Sequence, residues 1–189
     1  MGYTALCLGN PGPQYRETRH NAGFFVAETL SKRLGASFSR PFFAKYRYLR
    51  SGDMLTVTPL TYMNRSGEVI PALDRRFPGH AEPLIVVFDQ MDLPPGSLRF
   101  KRGGGAGGHR GVHSVMQYSG NREWYKLAIG IGRPGVGVSV TDHVLSEPRK
   151  DERDALYYAC DRAVSVLLRF ATDAPEDIMN EVNRRAPTP

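Results

Sequence analysis

The stretch Leu8-Gly9-Asn10-Pro11-Gly12-Pro13-Gln14-Tyr15-Arg16-Glu17-Thr18-Arg19-His20-Asn21 changes character twice within fourteen residues. An apolar run from Tyr3 to Leu8 reads as a strand, and it ends against two glycines and two prolines. A helical pattern starts near Asn21, which can cap a helix carrying Phe24, Phe25, Ala27, Leu30 and Leu34 on one face, with Gly35 as its stop. Asn10, Tyr15 and His20 therefore fall on or beside a loop at the C-terminal end of a strand. Open α/β sheets hold their ligands there.

Working outward, Lys45 to Arg50 and Met54 to Thr58 flank Ser51-Gly52-Asp53 and predict a hairpin. A second polar loop, Pro59 to Gly67, carries Met63 and Asn64; Ser66 is placed to cap a helix ending near Phe77, with Pro71 as a potential kink. Leu84 to Phe88 is a continuous apolar run, as expected of a strand covered on both faces, and it delivers Asp89 at its end. Ser97 to Arg102 reads as extended, Val112 to Tyr118 as helical, Tyr125 to Ile131 as another buried strand, and Asp142 to Leu145 as a short helix or strand. From Asp151 onward the periodicity is helical, and Asp173-Ala-Pro-Glu176 predicts the cap and first turn of a final helix. The Pro-Gly-rich segment from Arg133 to Gly137 reads as a surface loop.

A chain of 189 residues, 41% hydrophobic, can bury a real core and is most simply one domain over residues 1–189, with a helical C-terminal part at about 149–185. Cys7 and Cys160 lie in apolar runs without metal-like spacing and read as reduced thiols in a cytoplasmic protein. No apolar run approaches the roughly 18 to 20 residues of a membrane span, and the N-terminus has no basic-then-apolar leader pattern. The net charge of +6 is uneven: residues 151–189 carry −3 and residues 1–150 carry +9. Arg99, Lys101, Arg102, Arg110, Arg122, Lys126 and Arg133 face a single acid, Glu123, between residues 97 and 133, a bias that favours a polyanionic partner.

The chain lacks a G-x-S-x-G elbow, a phosphate loop ending in G-K-[ST] and an H-E-x-x-H helix. His109 and His113 have the spacing of a metal pair, but no third ligand accompanies them, and no metal is expected. Gly103-x-Gly105-x-x-Gly108 formally matches a dinucleotide fingerprint; it follows a short basic segment rather than opening a βαβ unit, and reads better as backbone able to approach phosphates. What remains is a histidine with amides and carboxylates on loops that follow strands. Such a set suits hydrolysis of an already reactive bond, such as an activated ester: a base activates water while amides orient or polarise the carbonyl. His20 fits the base, with a carboxylate on its other ring nitrogen to fix the tautomer.

The ordered segments L-G-N-P-G-P-Q-Y-R-E-T-R-H-N-A-G (8–23), P-L-T-Y-M-N-R-S-G (59–67), F-D-Q-M-D-L-P-P-G (88–96), G-G-G-A-G-G-H-R-G (103–111) and I-G-I-G-R-P (129–134) resemble the signature of the bacterial peptidyl-tRNA hydrolase family. The likeness runs from the first strand to about Leu145. It implies an α/β fold with a single domain, a mixed twisted β-sheet flanked by helices, usually monomeric and without metal or other cofactor. It implies cleavage of the ester that joins a peptide to the 3′ end of tRNA. Carried across by position, it implies His20 as the base, Asp89 as its orienting carboxylate, and Asn10 and Asn64 as holders of the peptide main chain, carbonyl or water. Tyr15 and Met63 would line the cleft, and Lys101, Arg102 and Lys126 would contact tRNA phosphates. Asp92 is the rival carboxylate.

Two positions depart from the family's pattern. Arg110 stands where the family has a substrate-binding asparagine, and an arginine can donate but cannot accept a hydrogen bond. Ala128 stands where the family has an arginine of a phosphate clamp, for which Lys126 or Arg110 could substitute as cations. Relatives that act as RNA-binding splicing cofactors keep a non-enzymatic reading open beside the hydrolase.

Overall fold

A computed structural model describes residues 2–80 and 82–184; residue 185, the last position of the expected C-terminal helical part, lies outside the described residues. Six strands form one sheet: β1 Tyr3–Cys7, β2 Tyr46–Ser51, β3 Met54–Pro59, β4 Leu84–Gln90, β5 Leu98–Arg102 and β6 Trp124–Gly130. Their order is β2-β3-β1-β4-β6-β5. The four central strands run parallel, and the edge strands β2 and β5 are antiparallel to their neighbours. Among the described residues six α-helices accompany them: α1 Ala22–Leu34, α2 Ile70–Arg76, α3 Arg110–Ser119, α4 Val140–Val144, α5 Lys150–Arg169 and α6 Pro175–Arg184. No helix among the described residues is long and apolar enough to cross a membrane.

The central strands bury both faces because their side chains alternate between two cores. Ala5 and Cys7 of β1, with Ile85 and Val87 of β4, pack into the core shared with α1, α5 and α6. Leu6 of β1, with Val86 and Phe88 of β4, packs into the core shared with α2 and α3. Truncating a fully buried leucine such as Leu6 to alanine would cost about 2–5 kcal/mol.

The chain leaves β1 toward β3 on one side and returns to β4 on the other. The crevice at the C-terminal ends of β1 and β4 is thus a topological switch point. Gly23 lets α1 start directly on this crevice: a Cβ there would lie 2.4 Å from the Leu8 carbonyl oxygen and 2.6 Å from that of Val87. Gly111 serves α3 similarly, since a Cβ would meet the Met63 sulfur at 2.4 Å.

Several local expectations need correction. Asn21 occupies the cap position of α1, but its side chain does not cap; it clasps the Asn10 backbone instead, accepting from its N–H at 2.8 Å and donating to its carbonyl at 3.1 Å. Ser66 caps no helix. It lies inside a 3-10 turn, Met63–Val69, and its hydroxyl donates to the Met63 carbonyl. Pro71 falls in the first turn of α2, where its missing N–H has no partner to lose, so it produces no kink. Asp173 does not cap α6, because Arg169 and Thr172 engage its carboxylate. Residues 142–145 resolve as helical, within and just after α4, which Ser139 caps by accepting from the Asp142 N–H.

Candidate active site

Asp89 is the penultimate residue of β4 and only 2% exposed, so it sits at the end of the strand itself and not on a following loop. Its Oδ1 accepts two hydrogen bonds of 2.9 Å, one from His20 Nδ1 and one from His109 Nε2. A carboxylate can only accept, so both imidazole nitrogens facing it carry their protons. His20 consequently presents an unprotonated Nε2 when neutral, with no partner among the described residues, and its side chain is 13% exposed. That nitrogen is a base open to solvent beside a fixed carboxylate.

By spacing His109 reads only as a metal partner of His113; the structure places it instead against Asp89. It caps α3: its Nδ1 accepts from the Val112 N–H at 3.2 Å while its Nε2–H reaches Asp89. Only the neutral tautomer meets both partners. The G-G-H-R-G segment held the signal, because helix α3 begins at Arg110, two residues earlier than the apolar period suggests, which makes His109 the cap. His113 is exposed and takes no part.

Burial alone would raise the Asp89 carboxyl. The two imidazoles outweigh it through their positive N–H ends and their hydrogen bonds, and hold the group well below the usual carboxylate range. Asp92 is exposed and bonded to Gln90 and Arg133, which removes it as a rival for Asp89. The ligand atoms of His20, Asp89 and His109 lie within 4.8 Å of one another, the one such trio among the described residues. Both imidazoles spend their protonated nitrogens on a single carboxylate oxygen, an arrangement built for hydrogen bonding rather than for a cation.

Asn10 is 7% exposed and rigidly held. Besides the Asn21 clasp, its side-chain Oδ1 accepts from the Met63 N–H at 2.7 Å, pinning the Asn64 loop to the first loop. That leaves its Nδ2 as a donor with no partner among the described residues. Asn64 is exposed on the same turn, while Met63 is buried at 4% exposure with its sulfur against Gly111 and His109 packed nearby. Tyr15 is half-buried and meets the exposed Tyr62 ring edge to face at 6.5 Å.

The basic cluster divides. Arg102 is paired with Glu123, Arg122 with Asp74 and Arg133 with Asp92, so the expectation of Arg102 as a free phosphate contact is weakened by its own salt bridge. Arg99, Lys101, Arg110 and Lys126 have no carboxylate partner among the described residues. Three of them, Arg99, Lys101 and Lys126, line a cleft of about 170 Å³ that also touches Phe88 and Ala128. Lys126 Nζ donates to the Gly105 carbonyl at 2.8 Å; burial, then the nearby Lys101, pushes its pKa below the ordinary lysine value. An anion between the two lysines would reverse that effect. Arg110 is exposed at the first position of α3. The glycine-rich segment before it joins β5 to α3, with Gly103, Gly104, Gly107 and Gly108 at positive φ, and is not the strand-to-helix turn of a dinucleotide fold.

The family model of peptidyl-tRNA hydrolase matches residues 5–189. The chain is 40% identical to the peptidyl-tRNA hydrolase of Alcanivorax borkumensis over 183 residues, covering 93% of each chain. It is 39% identical to that of Geobacillus thermodenitrificans over 182 residues, covering 93% of this chain and 96% of the relative. A crystal structure of a peptidyl-tRNA hydrolase variant from Acinetobacter baumannii superposes with a TM-score of 0.89 at 32% identity, over 99% of this chain and 97% of that one. A crystal structure of peptidyl-tRNA hydrolase from the same organism gives 0.87 at 31% identity, with the same coverage. The ordered motifs, the mixed six-stranded sheet and these matches agree, and the chain belongs to the peptidyl-tRNA hydrolase family.

Proposed function

We propose that this protein hydrolyses the ester between a peptide and the 3′ end of tRNA with His20 as general base. Family membership supports the reaction, and one observation carries the assignment: His20 donates through Nδ1 to a buried carboxylate while its Nε2 stays open to solvent. Nε2 removes a proton from water as the water oxygen attacks the ester carbonyl carbon. Asp89 holds the ring in the productive tautomer and stabilises the imidazolium that forms. The proton then passes to the departing ribose oxygen, leaving a free tRNA hydroxyl and a peptide carboxylic acid, which releases its remaining proton to solvent.

His109, by donating to the same oxygen, holds Asp89 in place as a positioning residue. The Asn10 amide and the exposed Asn64 amide bind the peptide main chain and the developing oxyanion. Tyr15 and Met63 line the cleft on the peptide side. Lys101 and Lys126 take tRNA phosphates, Arg102 contributes once its pair with Glu123 opens, and Arg110 adds a cation at the cleft mouth. In this reading the chain works as one domain and as a monomer in the cytoplasm, with no metal or other cofactor.

The test is release of tRNA from N-acetyl-aminoacyl-tRNA by this protein, by His20→Ala and by Asp89→Asn. His20→Ala is expected to lose at least about two orders of magnitude in kcat, and Asp89→Asn about one to three. Equal rates for all three proteins, or no rate above background for any of them, would overturn the assignment.

A further inference from the structure

A second surface rich in rings and cations lies on the opposite edge of the sheet from the Lys101–Lys126 cleft. In the loop leading into β2, Phe42 and Phe43 are 88% and 91% exposed, with their rings edge to face at 4.3 Å. Phenylalanine is normally among the residues that cores recruit, so an adjacent exposed pair calls for a partner. Phe43 is also the one non-glycine residue with positive φ among the described residues, at 59°.

The two rings line an open groove of about 620 Å³ together with Arg75 and Arg76 of α2, Lys45 and Ala72. Glu68 is the groove's acid, and it is already neutralised: Arg65 donates to both of its oxygens, at 2.6 and 2.9 Å. Lys45 adds a weak contact to Glu68 at 4.0 Å. Arg76 lies over the rings of Tyr48 and Phe77, at 5.8 and 5.5 Å, with its charge unmatched by any carboxylate among the described residues, and Arg75 likewise has none. The groove therefore offers flat apolar faces beside an uncompensated positive charge. An acidic peptide has no need of two stacked-out rings, and an apolar peptide has no need of the arginines. An unpaired nucleic-acid strand uses both, because bases stack on aromatic faces while phosphates meet arginines.

We propose that the Phe42–Phe43 groove binds single-stranded RNA. The groove is lined by the loop before β2, by Tyr46 of β2 and by α2 with the turn before it, and the Lys101–Lys126 cleft by residues of β4, β5 and β6 and the loop after β4, toward opposite ends of the strand order. Three strand spacings separate β2 from β4 and five separate it from β5, about 14 to 24 Å. The nucleotides bound there are therefore not those whose phosphates enter the Lys101–Lys126 cleft, and their binding does not require hydrolysis.

The experiment is a fluorescence titration of a labelled 12-nucleotide unstructured RNA against the full chain, against Phe42→Ala/Phe43→Ala and against Arg75→Ala/Arg76→Ala. All four side chains are exposed, and melting curves report whether each variant folds. Each double variant is expected to bind at least about tenfold more weakly, by loss of stacking or of phosphate contacts. Hydrolysis of N-acetyl-aminoacyl-tRNA should stay within about twofold of the unmodified protein, and an inactive protein would leave the titration readable. Undiminished RNA binding by both variants would overturn the proposal. So would loss of binding confined to Lys101→Ala/Lys126→Ala, or sedimentation showing that the unmodified chain self-associates and that Phe42→Ala/Phe43→Ala abolishes this.

Discussion

Replacing Asp89 by asparagine removes a charge and leaves the local shape. Asparagine's Oδ1 can accept from His20 Nδ1 and His109 Nε2 as the carboxylate oxygen does, both at 2.9 Å. What disappears is the attraction between carboxylate and imidazolium once His20 has taken its proton. With the charges about 4 Å apart and an effective dielectric of about 20, that attraction is about 4 kcal/mol. Asp89 is 2% exposed and the His20 side chain 13%, so solvent screens little of it. The lower bound is the difference between a charge-assisted and a neutral hydrogen bond, about 1.5 kcal/mol. Converted at about 1.4 kcal/mol per decade, kcat should fall by about 10- to 1000-fold, nearer the larger value, with KM almost unchanged. Single-turnover release of tRNA from N-acetyl-aminoacyl-tRNA measures this directly.

The sign of the pH dependence follows from the depressed Asp89 carboxyl. A group lowered on folding contributes stability above its unfolded value and loses it only as pH falls through the folded value. Asp89 thus stays ionised across the working range, and wild-type activity should not be lost between pH 8 and pH 6 through protonation of this carboxyl. A variant that keeps more than a third of wild-type kcat, or whose defect lies wholly in KM, would refute the reasoning.

Other outcomes follow from neighbouring contacts. His109→Asn preserves a competent cap for α3 but cannot reach Asp89; its melting temperature should stay near wild type while kcat falls about tenfold, whereas a large loss of stability would mean that the cap is the residue's main role. Arg110→Asn removes a cation from the positive end of α3 and should stabilise the fold by about 0.3–1 kcal/mol in denaturant titrations. The same change should lower the slope of log affinity for tRNA against log salt by about one unit, and an unchanged slope would exclude a phosphate contact. Gly23→Ala drives a methyl group against the Leu8 and Val87 backbones and should cost more than about 3 kcal/mol, or leave the protein insoluble. A mild effect there would show that α1 can move away from the switch point.

The positions of His20 and Asn64 on segments that follow strands, and of Asp89 at the end of one, were readable because apolar runs and glycine-proline punctuation locate strand ends within a residue or two. The hairpin at Ser51-Gly52-Asp53, the Gly35 stop and the buried parallel strands were legible for the same reason: local conformation and burial period suffice for them. Motif order identified the family, and the matches agree. Contacts between distant segments were another matter. Asn21 looks like a cap because its type and place fit one, yet the nearby Asn10 backbone offers its amide two partners at once. Asp173 has the same appearance, but Arg169 claims its carboxylate first.

Arg102 reads as a free cation until antiparallel pairing of β5 with β6 brings Glu123 beside it. His109 escaped for the reason that matters most to function. Its helical neighbour His113 is four residues away, whereas its partner Asp89 is twenty residues away in sequence and 2.9 Å away in space. Sequence alone determined the strand-loop-helix frame, the basic and acidic divisions of the chain and the family. Only tertiary structure could decide that a second histidine holds the carboxylate facing His20, and which cations remain free. Hydrogen bonds and ion pairs are settled by three-dimensional proximity, and spacing along the chain does not encode it.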